Sequence, residues 1–156
     1  MSSVTIKLDR FDSVKGKAVE GLKKGILGIC MAVQQQAKYN IVGVDAVDTS
    51  AMLNSVYVDA PGLNERDEAI ARAMVAAATD GVHSGRPHEF TEAEQVTKIS
   101  PGTLKGKVGV AAEYGAFIEL GVQNAESRPF LLPAAVEVAG EASNIASEFI
   151  KREIGQ

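Results

Sequence analysis

The sequence predicts an α+β domain in which a small antiparallel β-sheet packs against a long N-terminal helix and a C-terminal helix. Segments near both ends of the 156-residue chain carry apolar residues at helical spacing. Shorter segments elsewhere alternate apolar and polar residues with the period of a strand. Strands and helices do not alternate regularly as in βαβ units, which favours an antiparallel sheet. The length is that of one domain, so residues 1–156 are expected to fold as a single unit.

Composition excludes several classes of protein. With 46% hydrophobic and 23% charged residues, the chain belongs to the globular class. The longest apolar runs are interrupted by charges before the roughly 20 residues that a membrane span needs. The net charge of −4 argues against sequence-independent binding to DNA. Cys30 is the only cysteine, so an internal disulfide is excluded, and the absence of a secretory signal pattern predicts synthesis in the cytosol.

The first elements are a strand and a long helix. Residues 4–8 alternate apolar and polar side chains, as a short half-buried strand does. Residues 12–39 follow as the long helix, and Asp12 or Ser13 is a suitable N-cap.

Glycines recur within that helix, at Gly16, Gly21, Gly25 and Gly28. Each costs up to about 1 kcal/mol relative to alanine in a helix interior, so close backbone packing is expected to offset the cost. The packing partner is either the domain's own sheet or a neighbouring subunit.

A loop over residues 41–47 is expected to end the helix, and Asp48 or Thr49 can cap a short turn after it. Residues 55–59 then alternate with period two, which predicts a strand with one buried face.

An insertion extends from about residue 61 to 102, after the strand is ended by Pro61 and Gly62. Its first part predicts a helix over residues 65–79 with Asn64 as the cap. Residues 80–88 predict an exposed loop, because they hold two glycines and a proline.

A hairpin is predicted next, with residues 96–99 and 107–111 as its arms. Gly115 and Gly121 bracket a compact segment. A last helix is predicted from Pro133 nearly to the end of the chain, because apolar residues keep i, i+3, i+4, i+7 spacing throughout it.

No motif for catalysis or for binding a cofactor or metal is visible. Two histidines, His83 and His88, together with Asp80, Glu89 and Glu92 could ligate a divalent ion, but their spacing matches no known metal site and a solvated loop is the favoured interpretation.

Glu113 and Glu119 could be the two carboxylates of a glycosidase. The chain has no Trp for a sugar platform, so a structural role is favoured. Cys30 has no histidine nearby in sequence and is expected to pack as a small hydrophobe.

Two blocks of sequence carry a family resemblance. Residues 47–55, VDTSAMLNS, resemble the Asp-Thr-Gly-x-Leu-x-x-Ser signature of the head-tail joining or tail-completion family of long-tailed, siphovirus-type double-stranded-DNA bacteriophages, with Ser50 in place of the usual glycine. Residues 108–121, VGVAAEYGAFIELG, and 128–134, RPFLLPA, are similar to that family's Tyr-Ala-x-Tyr-Val-Glu-x-Gly and Pro-Phe-Leu-x-Pro-Ala segments. The two blocks stand in the family's order, between two helices.

The resemblance implies a structural motif rather than a reactive site. Tyr114, Phe117 and Ile118 are expected to bury area, Gly121 to permit a sharp turn, and Phe130 with Leu131 to hold a helix start against the sheet. A carboxylate at Glu119 needs partners, either backbone amides of a nearby turn or a basic residue of an adjacent subunit. The motif residues are Asp48, Thr49, Leu53, Ser55, Tyr114, Phe117, Glu119, Gly121, Pro129, Phe130 and Pro133.

By the same resemblance, the chain is expected to be a non-enzymatic virion protein. It would form a homo-oligomeric ring, hexameric by expectation, at the head-tail interface between the head connector or adaptor and the tail terminator or tail tube. DNA would only pass through its channel. The insertion is the expected contact for a different partner. The alternatives are a tail terminator, a minor capsid or tail protein, or a small hydrolytic enzyme using the carboxylates or histidines above.

Overall fold

The predicted α+β class is confirmed by a computed structural model. The structure describes residues 9–44, 50–65, 68–69, 71–73, 75, 102–112, 114–122 and 126–155. The predicted strand at 4–8, the loop at 80–88 and the hairpin arm at 96–99 lie outside these residues. The elements are α1 (Asp9–Gly43), α2 (Ser50–Ser55), β1 (Val56–Ala60), β2 (Leu63–Asn64), β3 (Lys107–Val110), α3 (Tyr114–Leu120), α4 (Leu131–Ala139) and α5 (Ala142–Ile154).

The long helix is longer at both ends than the predicted 12–39. It begins at Asp9, so Asp12 and Ser13 lie inside the helix and the predicted N-caps are wrong. The prediction that a loop begins at residue 41 is also wrong. Ile41 is fully buried in the core, and tertiary packing of this kind extends a helix beyond what local propensity supports.

The three described strands form an antiparallel sheet in the order β2-β1-β3. The predicted strand 55–59 is confirmed with a shift of one residue, but the prediction of a single buried face is wrong because all five residues of β1 are buried. Val56 and Val58 pack toward α1, whereas Tyr57 packs with Ala69 and Ala111 on the opposite face. The central strand is therefore covered on both sides.

The turn at Pro61 and Gly62 leads into a second strand rather than directly into a helix. Gly62 has a φ of 86°, a left-handed value that favours glycine, and Asn64 pairs with Asp59 in the sheet. The carbonyl of Glu65 accepts a 2.7 Å hydrogen bond from the N–H of Ala69, as at the beginning of a helix close to the predicted start at about residue 65. Residues 66–67, where a cap at Asn64 would act, lie outside the described residues. Helical residues are described at 68–69, 71–73 and 75, and the remainder of the predicted helix lies outside the described residues.

The C-terminal region consists of two helices instead of the predicted single one. Helix α4 begins at Leu131, so Pro133 lies in its first turn, where proline is tolerated. The helix breaks at Gly140 and Glu141, because glycine is a weak helix former and α4 and α5 pack on different parts of α1.

Three of the glycines in α1 lie against α5. A Cβ atom built on Gly21 would lie 2.7 Å from the Cα of Ile150, and one built on Gly25 would lie 2.9 Å from the Cα of Ala146. At Gly28 the nearest atom belongs to the Phe149 ring. The prediction of close packing is confirmed at these three positions, but the partner is α5 and not the sheet. A Cβ atom built on Gly16 would meet no described residue outside its own helix backbone within 4 Å.

The main core lies where the C-terminal half of α1 meets β1 and α4. No helix of the described residues has the length and apolarity needed to cross a membrane. The buried members of the core are Val33, Ala37, Ile41, Met52, Val56, Phe130, Ala134 and Val138.

Candidate assembly surface

The two blocks that carry the family resemblance pack against each other. Met52 of the first block and Phe130 and Ala134 of the second share the main core. The backbone joins the blocks as well, because the N–H of Ala111 donates a hydrogen bond of 3.0 Å to the carbonyl of Ser55. The described parts of both blocks therefore form one continuous support.

Residues of the first block hold the short helix α2 against the main core. Ser55 is fully buried, and its hydroxyl donates a 2.8 Å hydrogen bond to the carbonyl of Met52, which satisfies a buried polar group. Leu53 is half-buried and packs against the main core. Asp48 and Thr49 lie outside the described residues.

Glu119 binds the beginning of α4. One of its carboxylate oxygens accepts hydrogen bonds from the N–H groups of Phe130 at 2.8 Å and Leu131 at 2.9 Å. The other oxygen accepts one from the N–H of Leu132 at 2.8 Å. Of the two partners that the sequence left open for Glu119, backbone amides are confirmed.

The Glu119 carboxylate satisfies backbone N–H groups at the start of α4. The first N–H groups of a helix have no partner within it, and a negative charge there is further stabilised by the helix dipole. Phe130 stands at the N-cap position and supplies no capping hydrogen bond from its own side chain. A carboxylate from α3 performs that function instead, which ties α3 to α4.

The turn after α3 depends on Gly121. Its φ of 76° confirms the predicted sharp turn, since side chains other than glycine rarely adopt that value. The chain then returns beside α3, where the N–H of Arg128 donates a 2.8 Å hydrogen bond to the carbonyl of Ile118. The returning chain brings Pro129, which is exposed, and Phe130 to the start of α4.

Several apolar side chains of α3 and α4 face solvent. Tyr114 and Ile118 are half-buried against the core, as predicted. The expectation that Phe117 buries area is wrong, because Phe117 is 58% exposed. Leu120, Leu132 and Val136 are exposed as well, and the sequence analysis did not single them out. The i, i+4 spacing of Leu132 and Val136, outside the core positions of α4, was a usable signal. The exposed apolar set, hereafter the α3–α4 surface, is Phe117, Leu120, Leu132 and Val136.

Beside this surface an apolar groove of about 560 Å³ opens between α1, the start of β3 and α4. Leu132 belongs to both, because it also lines the groove. Among the described residues that line the groove, Glu119 is the one that carries a charge, and its oxygens are occupied by the α4 amides. The other main lining residues are Ile29, Cys30, Val33, Val108, Leu131, Ala135, Val138 and Ala139.

The residues considered for chemistry contribute no reactive cluster to the described part of the chain. No group of three or more potential metal ligands occurs among the described residues, and His83, His88 and Glu113 lie outside them. Cys30 is buried, as predicted for a small hydrophobe. Burial raises the pKa of its thiol, and the negative charge of Asp59 raises it further, so the reactive thiolate is disfavoured.

Comparisons with models of known protein families, with curated protein sequences and with solved structures found no match to this chain.

Proposed function

We propose that this chain is a structural subunit of a long-tailed bacteriophage particle. It forms a homo-oligomeric ring, hexameric by expectation, at the head-tail interface. The ring joins the head connector or adaptor to the tail terminator or tail tube and leaves a channel for DNA. It has no catalytic function and needs no cofactor.

The packing of the two resembling blocks carries this proposal. The blocks lie side by side, as the parts of one motif must, because they share the core around Phe130 and are joined by the hydrogen bond at Ser55. Their contact supports the interpretation that both belong to one structural motif. Several described residues of that motif support the backbone or the core: Glu119 orders α4, Gly121 turns the chain and Phe130 fills the core.

The α3–α4 surface supports an assembly function. Adjoining exposed apolar side chains mark interaction sites on soluble proteins. Leu132 and Val136 lie one helical turn apart on α4 and are both exposed. Leu120 is 79% exposed and Val136 is 67% exposed, although both stand on helices that Glu119 joins. A preformed apolar surface of this kind suits the heterologous contacts of a closed ring, in which one patch of each copy meets a different patch of the next.

The oligomeric state and the position of the chain in the particle test the proposal. Native mass spectrometry and electron microscopy of the purified chain are expected to show a closed ring, and imaging of intact particles is expected to place it between head and tail. Val136→Lys is expected to reduce ring formation while leaving stability within about 0.5 kcal/mol, as for other exposed sites. Ser147→Lys, at an exposed position of α5, is the matched control and should assemble normally. A ring found distal to the tail tube, or on the capsid lattice, would contradict the proposed position.

Glu119→Gln separates the structural proposal from a hydrolytic one. The substitution removes the charge from three charge-assisted hydrogen bonds, so we expect a loss of about 1–3 kcal/mol in the free energy of unfolding together with impaired assembly. Denaturant unfolding and native mass spectrometry measure the two effects, and Glu137→Gln on the exposed side of α4 is the control. Stoichiometric metal in the purified protein, or a hydrolytic activity abolished by Glu119→Gln with stability unchanged, would refute the structural proposal.

A further inference from the structure

The groove beside the α3–α4 surface has the properties of a binding site for an apolar segment. Its lining is aliphatic along α1 and α4, and Glu119, the one charged residue in the described part of the lining, already accepts three hydrogen bonds. Its volume of about 560 Å³ lies within the range of roughly 300–1,000 Å³ that is usual for ligand sites. Covering such a lining with polar groups would leave them without partners, so an apolar occupant is favoured.

The N-terminal segment of this same sequence has a matching pattern. Val4, Ile6 and Leu8 alternate with polar residues, and in an extended chain the three would share one face over about 13 Å. The wall that α4 contributes to the groove, Leu131–Ala139, is about 12 Å long at the helical rise.

A copy of the chain cannot place this segment in its own groove. Helix α1 is continuous from Asp9, and the groove begins at Ile29, twenty residues later and about 30 Å away along the helix axis. Val4 precedes Asp9 by five residues, which span at most about 18 Å when fully extended. As long as α1 stays helical, the segment of residues 4–8 reaches only the groove of another copy.

The N-terminal end of α1 is placed to carry the segment outward. Residues 12–16 are exposed, and the close contacts of the α1 glycines with α5 begin only at Gly21. The end of the helix therefore stands clear of the glycine contacts that hold the rest of α1 to its own domain.

We propose that residues 4–8 of each copy bind in the apolar groove of a neighbouring copy, with Val4, Ile6 and Leu8 against α4. The inference rests on the ring proposed above and names one of its contacts. Each copy would then donate one segment and receive one, which is the heterologous relation that closes a ring. Residues 1–8 are the donated arm, and the groove is its receptor.

Disulfide trapping tests the contact directly. Cys30 is the only native cysteine, so a Cys30→Ala background has no other thiol. One chain then carries Ile6→Cys, and a second chain, made heavier by a tag, carries Ala135→Cys at an exposed position of the groove. The two are mixed, assembled and oxidised. A cross-linked heterodimer of the two masses is expected, and Thr5→Cys in place of Ile6→Cys is the control, because residue 5 alternates to the opposite face and should cross-link at least about tenfold less.

Removal of residues 2–8 gives an independent measurement. It is expected to raise the concentration at which half of the chains are assembled by at least about tenfold, since three apolar side chains lose a buried site. Far-ultraviolet circular dichroism checks that the shortened chain keeps its helices.

The outcomes separate the two proposals. An intact ring that gives no heterodimer and assembles equally well without residues 2–8 overturns the arm contact and leaves the ring in place. A cross-link formed within one chain carrying both Ile6→Cys and Ala135→Cys, with none between chains, also overturns it. A wild-type chain that is monomeric throughout overturns both.

Discussion

The two halves of α1 are held by contacts of opposite kinds. The C-terminal half packs by inserting side chains such as Val33 and Ile41 into the core around Phe130. The N-terminal half packs through positions that have no side chain. Gly21 and Gly25 let the backbone of α5 approach so closely that a Cβ atom would not fit. Both contacts bury apolar surface, but in one the stabilising atoms belong to large side chains and in the other to the two backbones.

This difference has a consequence for mutation. Where side chains fill the space, removing atoms leaves a cavity and destabilises. Where the backbones touch, adding atoms forces them apart and destabilises, even when the added group favours a helix. Three substitutions test the contrast, in order of decreasing effect.

The largest effect is expected from Phe130→Ala. Phe130 is 1% exposed, so the truncation should lower the free energy of unfolding by about 3–5 kcal/mol through lost transfer energy and a residual cavity. Urea unfolding measures it. Phe117→Ala is the same change at a residue that is 58% exposed and should cost less than about 1 kcal/mol. Equal losses at the two positions would show that the core is not centred on Phe130.

A smaller effect is expected from Gly21→Ala. The new Cβ would lie 2.7 Å from the Cα of Ile150, a backbone atom that cannot move aside alone. We expect a net loss of about 1–2 kcal/mol, after subtracting the gain in helix propensity. The control is Gly16→Ala in the same helix, where the new Cβ meets no described residue outside the helix backbone within 4 Å and the substitution should stabilise by up to about 1 kcal/mol. Thermal or urea unfolding measures the change in the free energy of unfolding for both variants. If the two substitutions changed it in the same direction, the close-contact interpretation would be contradicted.

The smallest effect concerns Cys30, at the boundary between the two halves. Burial, and secondarily the charge of Asp59, raises the pKa of its thiol above the ordinary value near 9.0. Below that pH the thiol is protonated in both the folded and the unfolded chain, so its contribution to the free energy of unfolding does not change with pH. As the pH rises further the unfolded chain loses its proton first, so stability should fall by at most about 1.4 kcal/mol for each pH unit.

The difference between wild type and Cys30→Ala isolates that titration. Urea unfolding of both proteins between pH 7 and 10 should show a steeper decline in the wild type above pH 9. Parallel curves would mean that the thiol titrates alike in the folded and unfolded chains.

Sequence reasoning succeeded where the cause is local. The position of α1 follows from apolar spacing within the segment, and the turns at Gly62 and Gly121 follow from a backbone conformation that glycine favours. Glu119 was identified as needing partners because a carboxylate in an apolar segment is costly without them, and amides at a helix start are its confirmed partners.

Tertiary structure decided whatever depends on residues far apart in the chain. Nothing near Gly21 or Gly25 in sequence indicates that the surface opposite them is α5, more than a hundred positions later. The exposure of Phe117 and the burial of Tyr57 depend on which elements cover α3 and β1. By itself the sequence determined the α+β class, the long helix α1 and the turns at Gly62 and Gly121, because those follow from short-range sterics and periodicity. The choice of packing partners was left to the assembled core, because burial is a property of neighbours in space.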